Sequence, residues 1–296
     1  MRIDTHQHFW RRSRGDYTWL DPAQASLRPL LRDFEPHDLL PLLNEHDVSQ
    51  TVLVQAAASE AETDFLLALS DQHAWIAGVV GWIDLSDPTR RPVLNRWARH
   101  PKFKGVRPML QDIEDVDWIA HAPHPTMAQA LIDHGLRMDA LVKPQHLAGL
   151  LRFIDRWPRL NIVVDHAAKP LLRAGWQADW AATWRVGMRA IAAHPHVQCK
   201  FSALLTEADP ATIADPQAAT RTVRPVWDVL VEQFGPGRLM WGSDWPVLTL
   251  ASSYARWVSV CEALIGSLDS TEQAAVWHGN AARFYALPAI AKAAGE

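Results

Sequence analysis

Short apolar runs rich in β-branched residues alternate with longer segments whose apolar residues recur at intervals of three and four, along the whole chain. The first pattern is typical of buried parallel strands and the second of amphipathic helices. The runs predict strands at 2–8, 51–55, 76–84, 103–107, 136–141, 161–166, 197–202 and 238–244. The segments between them predict helices at 36–46, 60–72, 89–99, 126–134, 144–156, 180–193, 219–234 and 253–266, followed by one at 271–285.

This strict alternation predicts an α/β fold in which eight parallel strands close into a (β/α)8 barrel of the TIM type. The 296 residues of the chain are compatible with the roughly 250 residues that such a barrel commonly needs. No linker or low-complexity tract interrupts the pattern, so we expect a single domain over 1–296, with a long loop at 11–32. Because such barrels form their active sites from the loops that follow the strands, polar residues at strand ends are the functional candidates.

Composition excludes several classes of partner. The net charge is -4 and the basic residues are scattered, so nucleic acid is not an expected partner. The N-terminal residues lack the apolar core of a signal peptide, and no run reaches the ~18 apolar residues of a membrane span. Cys199 and Cys261 lack the spacing of a metal site or a disulfide framework. We therefore expect a cytoplasmic protein without membrane contact; monomer and homo-oligomer both stay open.

Two histidines at the end of the first predicted strand are candidate metal ligands. His6 and His8 are two residues apart, so both imidazoles lie on one face of the strand. His166 ends strand 6, and Asp244 ends strand 8, which neighbours strand 1 in a closed barrel. We expect these four side chains to bind one divalent ion, with Asp244 accepting the proton of an activated water. The plainer interpretations are a hydrogen-bonded core histidine for His166 and a helix cap for Asp244.

Further polar residues end other strands. Arg107 ends strand 4 and carries a rigid fork of donors that suits a substrate carboxylate or an oxyanion, although a salt bridge to a loop carboxylate is the alternative. Lys200 and Ser202 share one face of strand 7 and, with Gln55 after strand 2, are candidate substrate-binding residues. Trp245 is a candidate for stacking on a sugar ring, with core packing as the alternative.

Five segments carry a family resemblance: DTHQHFW, VVDHAAKP, CKFSALLTEA, FGPGRLMWGSDWPV and HGNAARFYAL. They resemble the amidohydrolase superfamily, and within it the branch of sugar-lactone hydrolases that includes L-fuconolactonases and L-rhamnonolactonases. The matches VLVQ, VVGWIDL and KGVRPMLQD lie between them. The resemblance therefore runs over almost the whole chain.

The resemblance implies a distorted (β/α)8 barrel in which water opens a sugar lactone, such as L-fucono-lactone, to the aldonic acid. By motif, His6 and His8 are the strand 1 pair and His166 is the strand 6 histidine. Asp244 is the aspartate that deprotonates water, and Arg107 stands near the lactone carbonyl. The implied catalytic set is therefore Asp244, Arg107 and His166.

The chain departs from the two-metal members of the superfamily. Those members place a lysine at the end of strand 4 and a histidine on strand 5, where this sequence has Arg107 and Asp139. The departure implies one divalent ion, for which zinc is the expected choice. Relatives of this branch also hydrolyse lactones without an ion, so the resemblance leaves open whether zinc is required for turnover.

Three alternatives remain at this point. A carboxylated lactone of the pyrone or muconolactone type would need several arginines at the barrel mouth, and Arg107 is the one strand-end arginine in the sequence. Related barrels decarboxylate aromatic acids in a metal-dependent reaction with much the same ligands. A barrel that binds sugars without converting them is a third possibility, which the presence of Asp244 disfavours.

Overall fold

Eight parallel strands follow one another around a ring in the order in which they occur in the chain. The computed structural model describes residues 1–289. Its strands are β1 (Arg2–Gln7), β2 (Val48–Val54), β3 (Ile76–Gly81), β4 (Phe103–Val106), β5 (Arg137–Ala140), β6 (Ile162–Val164), β7 (Val197–Phe201) and β8 (Leu239–Trp241). The predicted (β/α)8 barrel is confirmed; residues 290–296 of the predicted single domain lie outside the described residues.

The ring closes between its last and first strands through the segment that follows β8. Gln7 forms a parallel bridge with Trp245. The backbone N–H of Asp244 donates to the carbonyl of His6 at 2.7 Å. Closure therefore brings the residues after β8 directly beside the predicted histidine pair.

Helices cover the outside of the ring. They are α1 (Pro36–Glu45), α2 (Glu60–Gln72), α3 (Arg91–Trp97), α4 (Trp118–His121), α5 (Pro125–Asp133), α6 (Leu147–Arg156), α7 (Trp180–Ala192), α8 (Pro216–Phe234), α9 (Tyr254–Ile265), α10 (Ser270–Ala274) and α11 (Asn280–Phe284). Local sequence explains where several of them begin. Ser59 accepts the backbone N–H of Glu62 at the start of α2, and Asp215 accepts that of Ala218 at the start of α8. Such caps satisfy backbone donors that the helix leaves free.

All eight predicted strands run past the observed carboxyl ends, five of them by one residue and three by two or three. The predicted strand 3 reached residue 84, but β3 ends at Gly81 because the next backbone N–H donates to the side chain of Thr63. The predicted strands 6 and 8 reached residues 166 and 244. Both end earlier, since His166 and Asp244 have positive φ angles, which an extended strand cannot contain.

Two predictions for helices also change. The predicted helix 271–285 consists of α10, a wider turn at Ala275–Gly279, and α11. Helix α4 lies in a loop for which no helix was predicted. Its four residues are too few for apolar periodicity to stand out from chance.

The C-terminal segment closes the amino-terminal end of the barrel. Phe284 and Tyr285 pack with strand residues that point into the ring, namely Ile3, Val52, Val54, Val80, Val163 and Met240. The interior at the amino-terminal end of the barrel is therefore filled by apolar side chains. Among the helices of residues 1–289, none has the length and apolar character that crossing a bilayer requires.

The contact between β4 and β5 generates a stability prediction. Gly105 pairs with Arg137, and an added Cβ at this glycine would overlap the carbonyl oxygen of Arg137. Overpacking of this kind typically costs about 1–3 kcal/mol, so Gly105→Ala should lower the free energy of unfolding by that amount in a urea titration. In the control Gly237→Ala the added Cβ meets no atom within 4 Å. Equal midpoints for both variants would contradict the close approach.

Candidate active site

The pairing of β1 with β2 is irregular between Asp4 and Gln7, and His8 lies just beyond the strand. The carboxylate of Asp4 accepts the backbone N–H of Ser243 at 2.8 Å and the hydroxyl of Tyr254, on α9, at 3.0 Å. Burial raises the pKa of this carboxyl to about 6. Asp4 therefore ties β1 to the segment after β8, while the two histidines above it reach the barrel mouth.

Four of the predicted site residues converge at that mouth. The Oδ1 atom of Asp244 lies 3.1 Å from Nε2 of His8, 3.7 Å from Nε2 of His6 and 3.8 Å from Nε2 of His166. Four ligands at about 2.0–2.1 Å from a tetrahedral zinc ion are about 3.4 Å apart from one another. The three distances from Asp244 are close to this spacing, and the ligand atoms of His6, His8 and Asp244 lie within 4.8 Å of one another, as do those of His6, Asp165 and His166.

The backbone is strained at two of these residues, His166 and Asp244. The φ angle is 53° at His166 and stays positive through Lys169, where it is 47°; at Asp244 it is 61°. Residues with a Cβ adopt this left-handed region at a cost, which proteins tolerate mainly at functional sites. The strain turns His166 and Lys169 towards the same cavity.

The hydrogen bonds of His8 determine which of its nitrogens faces the centre. Its Nδ1 lies 2.7 Å from the carbonyl oxygen of Val54; since a carbonyl can only accept, the proton is on Nδ1. Burial lowers the pKa of His8, which favours the neutral ring. Its Nε2 lone pair therefore faces Asp244 Oδ1, and two acceptors at this distance repel unless a cation lies between them. The donor set fits a zinc ion.

The pKa shifts of the other ligands point the same way. Burial lowers the pKa of His6 and that of His166 well below the usual range. Burial alone would raise the pKa of Asp244, but the neighbouring His166 and His8 side chains lower it overall. Neutral imidazoles and an ionised carboxylate are the forms that bind a metal ion.

Arg107 directly follows β4 and contacts this centre. Its Nη1 lies 3.2 Å from Nε2 of His6, and its Nη2 donates to the carbonyl of Gln55. In return, the side-chain amide of Gln55 donates to the carbonyl of Arg107 at 2.8 Å. Gln55, predicted to bind substrate, is fully buried and instead holds Arg107 in place.

Lys200, also predicted to bind substrate, lies beneath the site and not on its wall. The side chain is fully buried, and its Nζ lies 2.6 Å from Asp139 Oδ2, 3.0 Å from Asp165 Oδ1 and 3.0 Å from His6 Nδ1. The hydroxyl of Tyr285 also donates to Asp139 Oδ2, at 2.9 Å. A buried carboxylate without a partner is costly, so the ammonium group is needed between the two aspartates.

Two more predicted substrate contacts have other partners. The hydroxyl of Ser202 lies 2.8 Å from Nδ1 of His166 and orients that ring. Trp245 packs edge-on against Phe9 and Phe34 in the core. Ser202 therefore supports the ring of His166 and Trp245 packs in the core, while their predicted contact with substrate stays a prediction.

The cavity above the centre has a volume of about 230 Å³. Its lining combines polar groups with an apolar wall. The polar residues are His8, Arg107, Gln111, Asp112, His166, Lys169 and Asp244, and the apolar ones are Trp19, Leu27, Ala56, Met109, Leu141, Val247 and Leu250. A ligand here meets charged groups at the base and apolar side chains from the loops.

Several residues that line the cavity are not polar or do not stand at the end of a strand. A search of the sequence for polar residues at strand ends therefore does not find them. Lys169, whose ammonium lies 3.7 Å from Glu207, stands three residues after His166 in VVDHAAKP, and only the left-handed backbone turns it inward. Leu27, Val247 and Leu250 come from loops without periodicity. Proximity to a candidate ligand in the sequence was the one available signal: Lys169 stands three residues after His166, and Val247 three residues after Asp244.

A buried glutamate supports one side of the cavity. Glu62, on α2, accepts the backbone N–H groups of Ala56 at 3.1 Å and Ala57 at 2.7 Å. The indole N–H of Trp19 donates to the carbonyl of Ala56 at 2.8 Å. Burial raises the pKa of Glu62 to about 7. This carboxyl group therefore anchors the loop on which the cavity residue Trp19 rests.

Comparison with known proteins adds the family to this geometry. A model of the amidohydrolase family matches residues 3–287. The chain belongs to this family. It is 42% identical over 291 residues to an L-fucono-1,5-lactonase of Burkholderia ambifaria, covering 97% of this chain and 96% of the relative. A second L-fucono-1,5-lactonase, from Burkholderia multivorans, is 40% identical over 299 residues, with 99% and 98% covered.

A solved structure in this family matches the fold closely. It is an amidohydrolase from Burkholderia multivorans crystallised with bound zinc, which is 40% identical. The superposition gives a TM-score of 0.89 and covers 97% of this chain and 100% of the other. The barrel of this amidohydrolase is therefore shared with a relative whose crystals contain zinc.

The raised pKa of Glu62 predicts a pH effect on stability. The folded state holds this proton more tightly than the unfolded state, whose pKa is near 4.5, so stability is lost as pH rises from about 4.5 to about 7. Glu62→Gln keeps an acceptor oxygen without titrating. The free energy of unfolding of Glu62→Gln minus that of the parent should therefore increase with pH, by up to about 1.4 kcal/mol per pH unit across that range.

Urea titrations between pH 5 and pH 8 measure this difference. Glu45→Gln is the matched control, since the Glu45 side chain on α1 is 64% exposed. Identical pH slopes for Glu62→Gln and the parent would show that the buried carboxyl does not titrate in this range.

Proposed function

We propose that this amidohydrolase hydrolyses a sugar lactone, L-fucono-1,5-lactone being the first candidate, to the aldonic acid. One observation carries the proposal: Asp244 and three histidine Nε2 atoms converge in the cavity of a chain that is 42% identical to an L-fucono-1,5-lactonase over nearly its full length. A carboxylate beside three neutral imidazoles is the equipment needed to activate water for attack on an acyl carbon.

The cavity lining favours a neutral sugar lactone over a carboxylated one. A sugar ring combines apolar C–H surface with hydroxyl groups, which suits a wall of Trp19, Leu27 and Leu141 opposite Gln111 and Asp112. A lactone with two carboxylates would need more cationic partners. Among the described lining residues Arg107 and Lys169 are the cations, and Lys169 already pairs with Glu207.

A single zinc ion fits the centre, and His6, His8, His166 and Asp244 would hold it. The fit rests on the close spacing of the ligand atoms of His6, His8 and Asp244, on the 3.8 Å between Asp244 Oδ1 and His166 Nε2, and on the lone pair of His8 that faces Asp244. When bound, zinc polarises a carbonyl group and lowers the pKa of water. The related Burkholderia multivorans structure, which contains zinc, supports this choice of ion.

The residues of the chain account for the proton transfers. Asp244 accepts a proton as a water oxygen bonds to the lactone carbonyl carbon. Arg107 stabilises the negative charge that develops on the carbonyl oxygen, and His166 borders the reacting group on the cavity wall. The bond from the carbonyl carbon to the ring oxygen then breaks, and the proton on Asp244 passes to that oxygen. The product is a hydroxy acid.

Substrate profiling tests this function. Purified protein, metal-stripped and zinc-loaded, is offered L-fucono-1,5-lactone and other aldonolactones, and acid release is followed with a pH indicator. We expect acid release with at least one 6-deoxy or pentose lactone and no carbon dioxide from aromatic acids. Carbon dioxide without lactone consumption would favour the decarboxylase alternative and reject the lactonase.

Removing the proposed base gives a second prediction. Asp244→Asn cannot accept a proton, so kcat for lactone hydrolysis should fall about 10²–10⁴-fold, measured in the same assay with the unfolding temperature as a check on folding. Asp84→Asn is the control: Asp84 follows β3 and caps its own loop by accepting the N–H of Ser86 at 2.8 Å. Full activity of Asp244→Asn would assign proton transfer to another group.

A further inference from the structure

The geometry points to a competition that rests on the proposed zinc site: Arg107 and the metal ion are alternative partners of one lone pair, that of His6 Nε2. Zinc binding therefore releases the guanidinium group of Arg107 from His6, and Arg107 in turn weakens the binding of zinc.

Two cations flank the His6 ring: Arg107 Nη1 lies 3.2 Å from Nε2, and Lys200 Nζ lies 3.0 Å from Nδ1. Both cations can only donate and a neutral imidazole has one lone pair, so the ring accepts from one of them at a time. Lys200 has Asp139 and Asp165 as further partners, whereas Nη1 of Arg107 has its hydrogen bond with His6. When Nε2 carries the lone pair, Nδ1–H lies 3.3 Å from Asp165 Oδ1, and metal-bound histidines commonly direct their second nitrogen to a carboxylate in this way.

Zinc would need the same lone pair in the same tautomer. The ring plane offers one lone pair at Nε2, and it can serve either a guanidinium N–H or a metal ion. An ion at about 2.0–2.1 Å from Nε2 would also lie against the positive charge of Arg107. The tautomer in which Nδ1–H faces Asp165 leaves the lone pair of Nε2 available. This lone pair can bind zinc or accept from Arg107, but it cannot do both at once.

The surroundings of Arg107 hold one part of its guanidinium group and leave another part without a partner. Its Nη2 is held by the carbonyl of Gln55, whereas its buried Nε has no hydrogen-bond partner among the described residues. The side chain also borders the cavity. On leaving His6, Nη1 becomes a free donor at the edge of the space in which the lactone carbonyl would lie. Metal occupancy thereby controls how many donors Arg107 offers to the substrate.

Zinc affinity tests the competition without measuring catalysis. We would titrate parent, Arg107→Met and Lys169→Met proteins with zinc against a fluorescent chelator. Lys169 is the matched control because it is a cation that lines the same cavity and makes no contact with His6 in residues 1–289. We expect zinc to bind Arg107→Met at least tenfold more tightly than the parent, and Lys169→Met within threefold of it.

Equal tightening in both variants would reduce the effect to net charge and overturn the proposal, as would unchanged or weaker binding in Arg107→Met. Because a buried arginine was removed, the unfolding midpoint of each variant is recorded first. A measurement on the parent protein guards against a variant that fails to fold.

That measurement is a crystal structure of the zinc-loaded parent, with the ion located by anomalous scattering. We expect zinc on His6 Nε2 and Arg107 Nη1 displaced to more than about 3.5 Å from that atom, beyond hydrogen-bond range. Zinc on Nε2 with Nη1 still in hydrogen-bond contact, or zinc bound without His6, would overturn the competition. Lactone hydrolysis is assayed separately on the same samples. If Arg107 and zinc do not compete but lactones are hydrolysed, only the competition is rejected. If they compete but no lactone is hydrolysed, only the proposed lactonase activity is rejected.

Discussion

The site depends on the repulsion among buried hydrogen-bond acceptors. The lone pair of His8 faces Asp244 Oδ1 at 3.1 Å, and Nε2 of His6 and of His166 lie within 3.8 Å of the same oxygen. Acceptors brought together in a low-dielectric interior raise the energy of the fold unless a positive charge lies among them. In the structure Arg107 places a positive charge beside His6. A zinc ion would place a larger positive charge among all four ligands.

A second set of charged groups lies below the histidines and stabilises the buried centre. Lys200 compensates Asp139 and Asp165, and the C-terminal helix contributes the hydroxyl of Tyr285 to Asp139. Asp165 in turn lies beside Nδ1 of His6. Each carboxylate in the barrel interior therefore has a cation or a donor beside it, and the closing segment of the chain is connected to the centre by side-chain contacts.

Much of the site followed from residue type and place in the pattern. His6, His8, His166 and Asp244 stand at the ends of predicted strands, and a closed barrel must bring such ends to one mouth. Arg107 was found for the same reason. The contacts with substrate predicted for Lys200, Gln55, Ser202 and Trp245 stay predictions; in the structure all four side chains are buried and have partners within the protein. Strand periodicity indicates which side a residue faces, but not which neighbour its polar atom will reach first.

By itself, the sequence determined the barrel, the ring of candidate ligands and the family, because these depend on periodicity and on short motifs that are local in the chain. Only the tertiary structure decided which nitrogen of each histidine faces the centre and which cation stands beside it. Those choices arise from groups far apart in sequence, such as Val54 with His8 and Arg107 with His6. Asp and His adopt the left-handed region more often than most residues with a Cβ, but this preference alone does not select the positive φ angles of His166 and Asp244, which the surrounding structure maintains.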